Sequence, residues 1–385
     1  MRNLFNYIKI GSWNMEGAYF KTNSFFTNKL REAEFLDTLK THDILCVQET
    51  HCGPNDIPSQ HIKEYQSIPH CRGKSGNSRY FGGMLLLIKK SLRQGIKIIK
   101  TADPDILGLT LKKEFFNLSQ DTVVWFVYAS PANSPYNKGK ESIFHRLEII
   151  MALHGNHHIV MGDLNGRTSE EEDFINEEYE THSPMRDIGA YVFDTPSRRN
   201  NTDKSSPDAH GKMILNTCKN LQMRILNGRT PGDRWGVPTR YPVNRKEKPS
   251  VIDYGLCSTK ALHMVSSFHV LPYTILSDHC CLSLKFATTY STPTVTDNND
   301  TTSMKDIPSY PRFKLEFAGL FEENLKNDNR FDEVRSNTPR GIPPTQEYID
   351  QLVETFNKPQ LKNAEKSFPA RNITQSCQGI EQKPF

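Results

Sequence analysis

No run of about 18 apolar residues occurs anywhere in this 385-residue chain, and its first residues, MRNLFNYIKIGSW, contain no apolar stretch of signal-peptide length. We therefore expect a soluble, intracellular protein with no membrane partner. Paired-cysteine spacing is also missing. The eight cysteines (Cys46, Cys52, Cys71, Cys218, Cys257, Cys280, Cys281 and Cys377) include no C-x-x-C, which argues against a zinc ribbon or a disulfide scaffold. Several sit inside apolar runs such as DILCVQE and HCCLSLKF and read as buried, reduced thiols. Charge of one sign is not in large excess either: 48 Lys and Arg face 44 Asp and Glu, and a net charge of +4 does not by itself call for a polyanionic partner. Internal repeats are absent. The apolar fraction, 36%, is low for a compact globule and suggests a core diluted by polar tails.

Aromatic residues are plentiful, with 21 Phe and 14 Tyr. From Ile8 to about Phe286, short apolar segments alternate with helical patterns. Strands are expected at Tyr7–Trp13, Asp43–Glu49, Gly83–Ile88, Ile106–Leu111, Thr122–Tyr128, His158–Gly162, Met223–Leu226, Val251–Cys257 and Cys281–Phe286. Helices are expected at Thr27–Lys40, Lys140–His154 and His210–Leu221. Strands this numerous, with helices between them, predict two sheets packed face to face and covered by helices. Near residue 287 the texture changes to ATTYSTPTVTDNNDTTS, polar and without period. That divides the chain into a domain over 1–287, a polar linker over 288–310 and a partly helical extension over 311–385. The extension has helical spacing at Arg312–Val334 and Thr345–Asn357, and its ending suggests a chain that stops short of a further partner.

Acidic and amide residues gather at the ends of the expected strands: Asn14 and Glu16 in SWNMEG, Glu49 in CVQET, Asp163 and Asn165 in VMGDLNG, Asp253 in VIDYG, and Asp278 with His279 in LSDHC. Strand ends are where a rigid scaffold aims several groups into one cleft. Oxygen donors such as Asn14, Glu49 and Asp278 suit Mg²⁺, which binds few carboxylates and keeps several waters. Asp163 can take a proton from an attacking water, and Asn165, two residues on, shares its side of an extended segment. An imidazolium at His279 can donate to a phosphate oxygen while a carboxylate, Asp253, fixes its other nitrogen. Singly, each of these has a plain structural alternative: a carboxylate after a strand usually caps a turn.

Taken in order, the motifs resemble the endonuclease/exonuclease/phosphatase superfamily over almost all of residues 8 to 286. The resemblance implies a four-layer α/β/β/α sandwich (α/β, or α+β) and hydrolysis of phosphate esters with Mg²⁺, Mn²⁺ being the alternative. It assigns Asn14 and Glu49 to the metal site, places Asp278 close to it, sets Asp163 and Asn165 on the water and phosphate, pairs Asp253 with His279, and puts Tyr128 of WFVYASP on the phosphate side. One departure is Glu16, where many nucleases of this group have Asp.

Finer features, YASPANSPY, SRRNNTD, ILNGRTPGD and KPSVIDYG, look like the apurinic/apyrimidinic-like endonuclease domain of non-LTR retrotransposons. That likeness implies a nuclear DNA-nicking enzyme and a reverse-transcriptase domain that this chain does not include. Its pattern also offers Asn227 and Thr239 as substrate contacts, and Asn133 and Ser134, polar residues on the loop that follows Tyr128, are expected to contact the strand being cut or simply to be solvated. Arg224 to Lys248 is rich in Arg and Lys, with Trp235 and Tyr241 interleaved, and is expected to track phosphates. Glu170 to Glu180, rich in carboxylates, is expected to be a solvated helix face turned away from DNA. Two other readings stand beside the DNA endonuclease: a phosphatase or phosphodiesterase acting on an inositol phosphate or lipid headgroup, and a catalytically inactive nucleic-acid-binding remnant.

Overall fold

The computed structural model describes residues 2–21, 26–53, 62–73, 80–137, 139–175, 197–244 and 246–293, together with Leu320, Glu323, Asn324 and Asn363. By contacts the chain divides into two units, Met1–Val295 and Thr296–Phe385. The helices expected at Arg312–Val334 and Thr345–Asn357 fall almost wholly outside the described residues.

The strands, in chain order, are β1 (Arg2–Asn14), β2 (Tyr19–Lys21), β3 (Phe26–Asn28), β4 (Ile44–Gln48), β5 (Tyr65–His70), β6 (Met84–Lys89), β7 (Ile96–Lys100), β8 (Ile106–Leu111), β9 (Thr122–Val127), β10 (His158–Asp163), β11 (Met223–Ile225), β12 (Asp253–Ser258), β13 (Val265–Val270) and β14 (Leu282–Pro293). The helices are α1 (Ala33–Lys40), α2 (Lys113–Phe116), α3 (Ile143–Ala152), α4 (Ala209–Asn220) and α5 (Thr259–Leu262). Two six-stranded mixed sheets result, ordered β13-β14-β1-β4-β6-β5 and β11-β12-β10-β9-β8-β7. Each has one parallel pair at its centre, β1 with β4 and β9 with β10, and antiparallel pairs elsewhere.

Both faces of the central strands are covered, which explains their unbroken apolar runs. In β4, Ile44 and Cys46 point into the layer between the sheets, where Leu109, Phe126 and Met161 meet them. Leu45 and Val47 point the other way, toward Trp13 and toward Phe35 and Leu39 of α1. On the outer face of the second sheet, α3 and α4 lay Phe144, Leu147, Ile214 and Cys218 against Trp125 and Val160. Helix, sheet, sheet, helix is therefore the layer order, the four-layer sandwich expected from the sequence.

Local chemistry sets the helix starts. Ser142 accepts from Phe144 N and Asp208 from Gly211 N, each satisfying a donor in a first turn. Gly211 is also needed for space, because a Cβ there would run into the Arg167 carbonyl.

Several expectations need correction. Thr27–Lys40 is not one helix: Phe26–Asn28 pairs with Tyr19–Lys21, and the Asn28 side chain caps a 3₁₀ turn at Lys29–Arg31 before α1 begins. The compositional boundary at 287 cuts a strand, since β14 runs to Pro293 and pairs with the N-terminal part of β1; its Thr-rich end is polar but extended. β5, β7 and β13 were not expected. All three are sheet edges, where Pro69 and outward polar residues break the apolar signal. The acidic run is no solvated helix at its start. Glu170 ends a turn, Glu171 and Glu172 follow in irregular backbone, and Asp173 is fully buried, paired with Arg229 at 2.8 Å; residues 176–180 lie outside the described residues.

His42, just past α1, joins this layer to β14. Its Nδ1 lies 2.8 Å from the Thr38 carbonyl, which it serves as a donor, and its Nε2 accepts from the Ser283 hydroxyl at 2.9 Å. Burial pushes its pKa down from 6.5 to about 4. Above pH 6.5 the ring is neutral in folded and unfolded chains alike and stability is full; as pH falls toward 4 the unfolded chain takes up a proton that the folded one refuses. The loss should reach about 3 kcal/mol. We expect the urea midpoint of the wild type to drop across this window, and to drop less for His42→Gln; equal drops would rule out this origin.

Candidate active site

At the C-terminal ends of β1, β4, β9 and β10 the two sheets close on each other through polar side chains. Gln48, fully buried at the end of β4, donates from Nε2 to the Val127 carbonyl at 2.8 Å and accepts from Asp163 N at 3.0 Å. One amide thus joins the sheets and fixes the backbone of Asp163. Gly162 allows this approach: its φ is +152°, and a Cβ would meet both Val127 O and the Gln48 amide.

Asn14 completes the join from β1, donating to Glu49 Oε1 at 3.0 Å and Asp163 Oδ2 at 2.9 Å, while its Oδ1 accepts from Glu16 N at 2.9 Å. Asp163 also accepts from Asn165, at Oδ1 from the backbone N–H (2.9 Å) and at Oδ2 from the side-chain amide (3.1 Å). The Asn165 amide is further held by the Ala129 carbonyl at 2.8 Å. His279 Nδ1 sits 3.0 and 2.9 Å from the two oxygens of Asp253, and its Nε2 faces Asp163 Oδ2 at 3.9 Å and Asp278 Oδ1 at 3.5 Å. Asp278 Oδ2 is held by Arg240 Nε at 2.8 Å. Glu16, Glu49, His51 and Asn165 all adopt positive φ, between 45° and 54°, a costly backbone for non-glycine residues that aims side chains off the strand ends.

The electrostatics follow from this crowding. Burial would raise the Glu49 pKa, but hydrogen bonds from His51, Tyr128 and Asn14 take it down to about 2. Burial raises Asp163, and the neighbouring Asp253 raises it further. His279 loses ionisation to burial and regains more from Asp253, Asp163 and Asp278, so its pKa rises to about 10 and the ring is an imidazolium at neutral pH. Tyr128 is pushed up by burial and by Glu49, which keeps it a neutral phenol hydrogen-bonded to that carboxylate.

These residues fit a divalent cation. Asp278 Oδ1 is buried and accepts no hydrogen bond, and Glu49 remains ionised despite its partial burial. The ligand atoms of Asp163, Asp253 and His279 also lie within 4.8 Å of one another. Since both Asp253 oxygens face the His279 ring, Glu49 and Asp278 are the better oxygen donors.

Of the expected site residues, Asn14, Glu49, Tyr128, Asp163, Asn165, Asp253, Asp278 and His279 meet in this cluster. Asn133 lies on an exposed turn away from these bonds. Asn227 and Thr239 are inside the protein, not on its surface as substrate contacts would be. Asn227 bridges Asp253 O and Gly255 N (both 3.1 Å), and Thr239 Oγ1 accepts from Ile252 N and Asp253 N (both 3.0 Å). Both position Asp253. The basic stretch is likewise partly internal: Arg224 and the Arg229 side chain are buried, Arg240 binds Asp278, and Arg234, Lys246 and Lys248 are exposed, while Arg245 lies outside the described residues.

Sequence reading missed Gln48, His51, Lys29 and Arg72. His51 Nε2 stands 3.5 Å from Glu49 Oε2. Lys29 is buried with Nζ on the Met15 and Glu16 carbonyls at 2.5 and 3.3 Å. Arg72, bound to Asp105 and Ser130, lies over the Tyr128 ring at 5.2 Å. Only Gln48 and His51 carried a signal, as neighbours of Glu49 in QETH.

Gln48→Met keeps the volume but leaves Val127 O and Asp163 N without partners, which should cost about 2–5 kcal/mol in urea unfolding. A variant as stable as the wild type would show that the sheets do not rely on this amide.

The chain matches the family described as Endonuclease/Exonuclease/phosphatase over residues 11–279. No curated protein matches it by sequence. Among solved structures it is similar to a 3′-5′ exonuclease from Neisseria meningitidis, with TM-score 0.48 and 15% identity, covering 72% of this chain and 99% of that one. It is also similar to an AP endonuclease from Leishmania major (0.48, 14%, 73% and 88%). A third is the endonuclease domain of TRAS1, a telomere-specific non-LTR retrotransposon (0.43, 13%, 73% and 98%).

Proposed function

The chain belongs to the endonuclease/exonuclease/phosphatase family, and from that premise we propose that it is a divalent-metal-dependent DNA endonuclease of the nicking, retrotransposon type. The observation that carries the chemistry is the buried contact set of Asp163, Asp253 and His279 beside Asn14 and Glu49.

Glu49 and Asp278 would hold Mg²⁺ or Mn²⁺, with Asn14 bracing Glu49. A bound cation would neutralise the nonbridging oxygens of the phosphate. Asp163 takes the proton of the attacking water; burial and Asp253 raise its proton affinity toward what a base at neutral pH needs. Asn165 holds Asp163 in line through its backbone N–H and its side-chain amide. His279, protonated and fixed by Asp253, donates from Nε2 to a phosphate oxygen as negative charge develops. Tyr128 donates to Glu49 and stays neutral throughout.

DNA as the substrate is supported by the surroundings. The loop that carries Arg240 pairs with the Asp278 segment through Tyr241 N to Asp278 O at 2.7 Å and Cys280 N to Thr239 O at 2.7 Å. On the same loop Lys246 and Lys248 are exposed, and nearby in sequence are exposed Arg234 and Trp235, the latter 71% exposed. Exposed cations with an exposed aromatic suit a phosphate backbone and an unstacked base. A chromosomal substrate would place the protein in the nucleus.

With Mg²⁺, supercoiled plasmid should be converted to nicked circles, and Asp163→Asn or His279→Ala should slow this by roughly a thousandfold or more. Folded protein that leaves the plasmid intact with both Mg²⁺ and Mn²⁺ would sink the proposal. Release of phosphate from inositol phosphates faster than nicking would move the assignment to a phosphatase.

A further inference from the structure

β7 closes one edge of the second sheet and pairs only with β8. Among the described residues, the backbone of residues 96–100 makes no hydrogen bond beyond that ladder. A strand edge in this condition presents a row of donors and acceptors to an incoming chain. Beside it, between β7 and α3, lies an open groove of about 720 Å³, none of whose lining residues belongs to the acid–histidine cluster. Its apolar wall is formed by Ile99 of β7, Ile149 and Ile150 of α3, and Leu153 just past the end of that helix. Ile149 is 50% exposed and Leu153 77%. The two are four residues apart and share one helix face. Trp125 and Ile99 fill the space over Gly108 of β8, so the groove follows the strand edge and does not run on across the sheet.

The rim is cationic. Lys100 and Lys140 line the groove and are exposed, and Lys97 is exposed on the same strand. None of the three lies within ion-pair distance of a described carboxylate, and the single acid among the lining residues, Asp103, is held by Arg146 at 2.5 Å. Three features therefore coincide at one place: an open strand edge, an apolar wall beside it, and cations without counter-ions.

We propose that this groove docks an extended acidic segment of a partner protein, which adds as a strand to β7 and lays alternate apolar side chains against Ile149, Ile150 and Leu153. Backbone pairing supplies affinity in this mode, and the groove selects side chains, because every second residue of a strand points to the same face. The five residues of β7 offer about 17 Å of edge, enough for a five-residue strand. The lysines set the sign of the partner: carboxylates interspersed with the apolar residues meet Lys97, Lys100 and Lys140. A second copy of this chain fits poorly, since pairing β7 with its own equal would set lysines against lysines. A nucleic acid would answer the lysines but leave the apolar wall and the open backbone edge unused.

The test needs no substrate and does not depend on the nuclease reading. A fluorescein-labelled peptide of about seven residues, alternating Glu with Ile or Val, is titrated with the full chain and followed by fluorescence polarisation. It should bind saturably in the micromolar range, and the same peptide with Lys in place of Glu should bind roughly tenfold more weakly or worse. Methylation of alternate backbone amides of the probe separates strand addition from adhesion through side chains. One methylated set should abolish binding, and the other, whose amides face away from β7, should leave it intact. Ile149→Glu should weaken the acidic probe roughly tenfold or more. If that variant does not fold, Lys100→Glu, on the strand side of the groove, should weaken the acidic probe severalfold and strengthen the Lys-containing one. No saturation by about 1 mM, methylated sets that behave alike, or binding untouched by both substitutions would overturn the site. A DNA duplex that displaces the probe, and itself binds less well to Ile149→Glu, would overturn the peptide in favour of nucleic acid.

Discussion

Mutual repulsion among carboxylates governs this structure. Glu49, Asp163, Asp253 and Asp278 converge where water is scarce, and like charges in a low-dielectric setting cannot all stay ionised without help. Each receives a different remedy. Glu49 is stabilised by three hydrogen-bond donors, Asp278 by the Arg240 guanidinium, and Asp253 by the His279 ring, whose charge it sustains in return. Asp163 has only amide donors, from Asn14 and Asn165, and the His279 ring stands off at 3.9 Å from its Oδ2. Burial and Asp253 therefore raise its pKa, and the group left undercompensated is the one whose chemistry requires proton affinity.

Such an arrangement is unstable unless the backbone beneath it is rigid, and the rigidity comes from buried side chains that touch no solvent. Gln48 ties β4 to β9 and β10, Asn227 and Thr239 tie the surrounding segments to β12, and Ser277 Oγ ties the Asp278 turn to Asn14 O at 2.7 Å. Every one of these bonds joins segments far apart in sequence. The site is thus assembled by the packing of two sheets, and its strained turns at Glu16, Glu49 and Asn165 persist because that packing fixes both flanks.

This origin explains what could be read from the sequence. Central strands buried on both faces announce themselves as apolar runs, so β4, β8, β9 and β10 were legible almost to the residue, and with them the acids at their ends. Edge strands β5, β7 and β13 face solvent on one side and lose that signal. Among site residues, the carboxylates and His279 were legible because their types suit phosphate chemistry. Asn227 and Thr239 were noticed but misread, since an amide or hydroxyl near a motif looks the same whether it faces substrate or backbone. Gln48 was invisible in its role for the same reason: two hydrogen bonds to other strands leave no local pattern.

The arginines make the related point about charge. A run of cations between Arg224 and Lys248 looked like one phosphate-tracking surface, yet the fold sorts it by depth. Arg224 and Arg229 go to the interior beside Asp173, Arg240 serves Asp278, and Arg234, Lys246 and Lys248 remain outside. Asp173 offsets Arg229 and Asp278 offsets Arg240 at close range, so attraction for a polyanion rests chiefly on the exposed group. What the interior arginines contribute is geometric. Arg240 takes one oxygen of Asp278, so the same ion pair that neutralises this carboxylate leaves the other oxygen without a hydrogen bond, 3.5 Å from His279 Nε2.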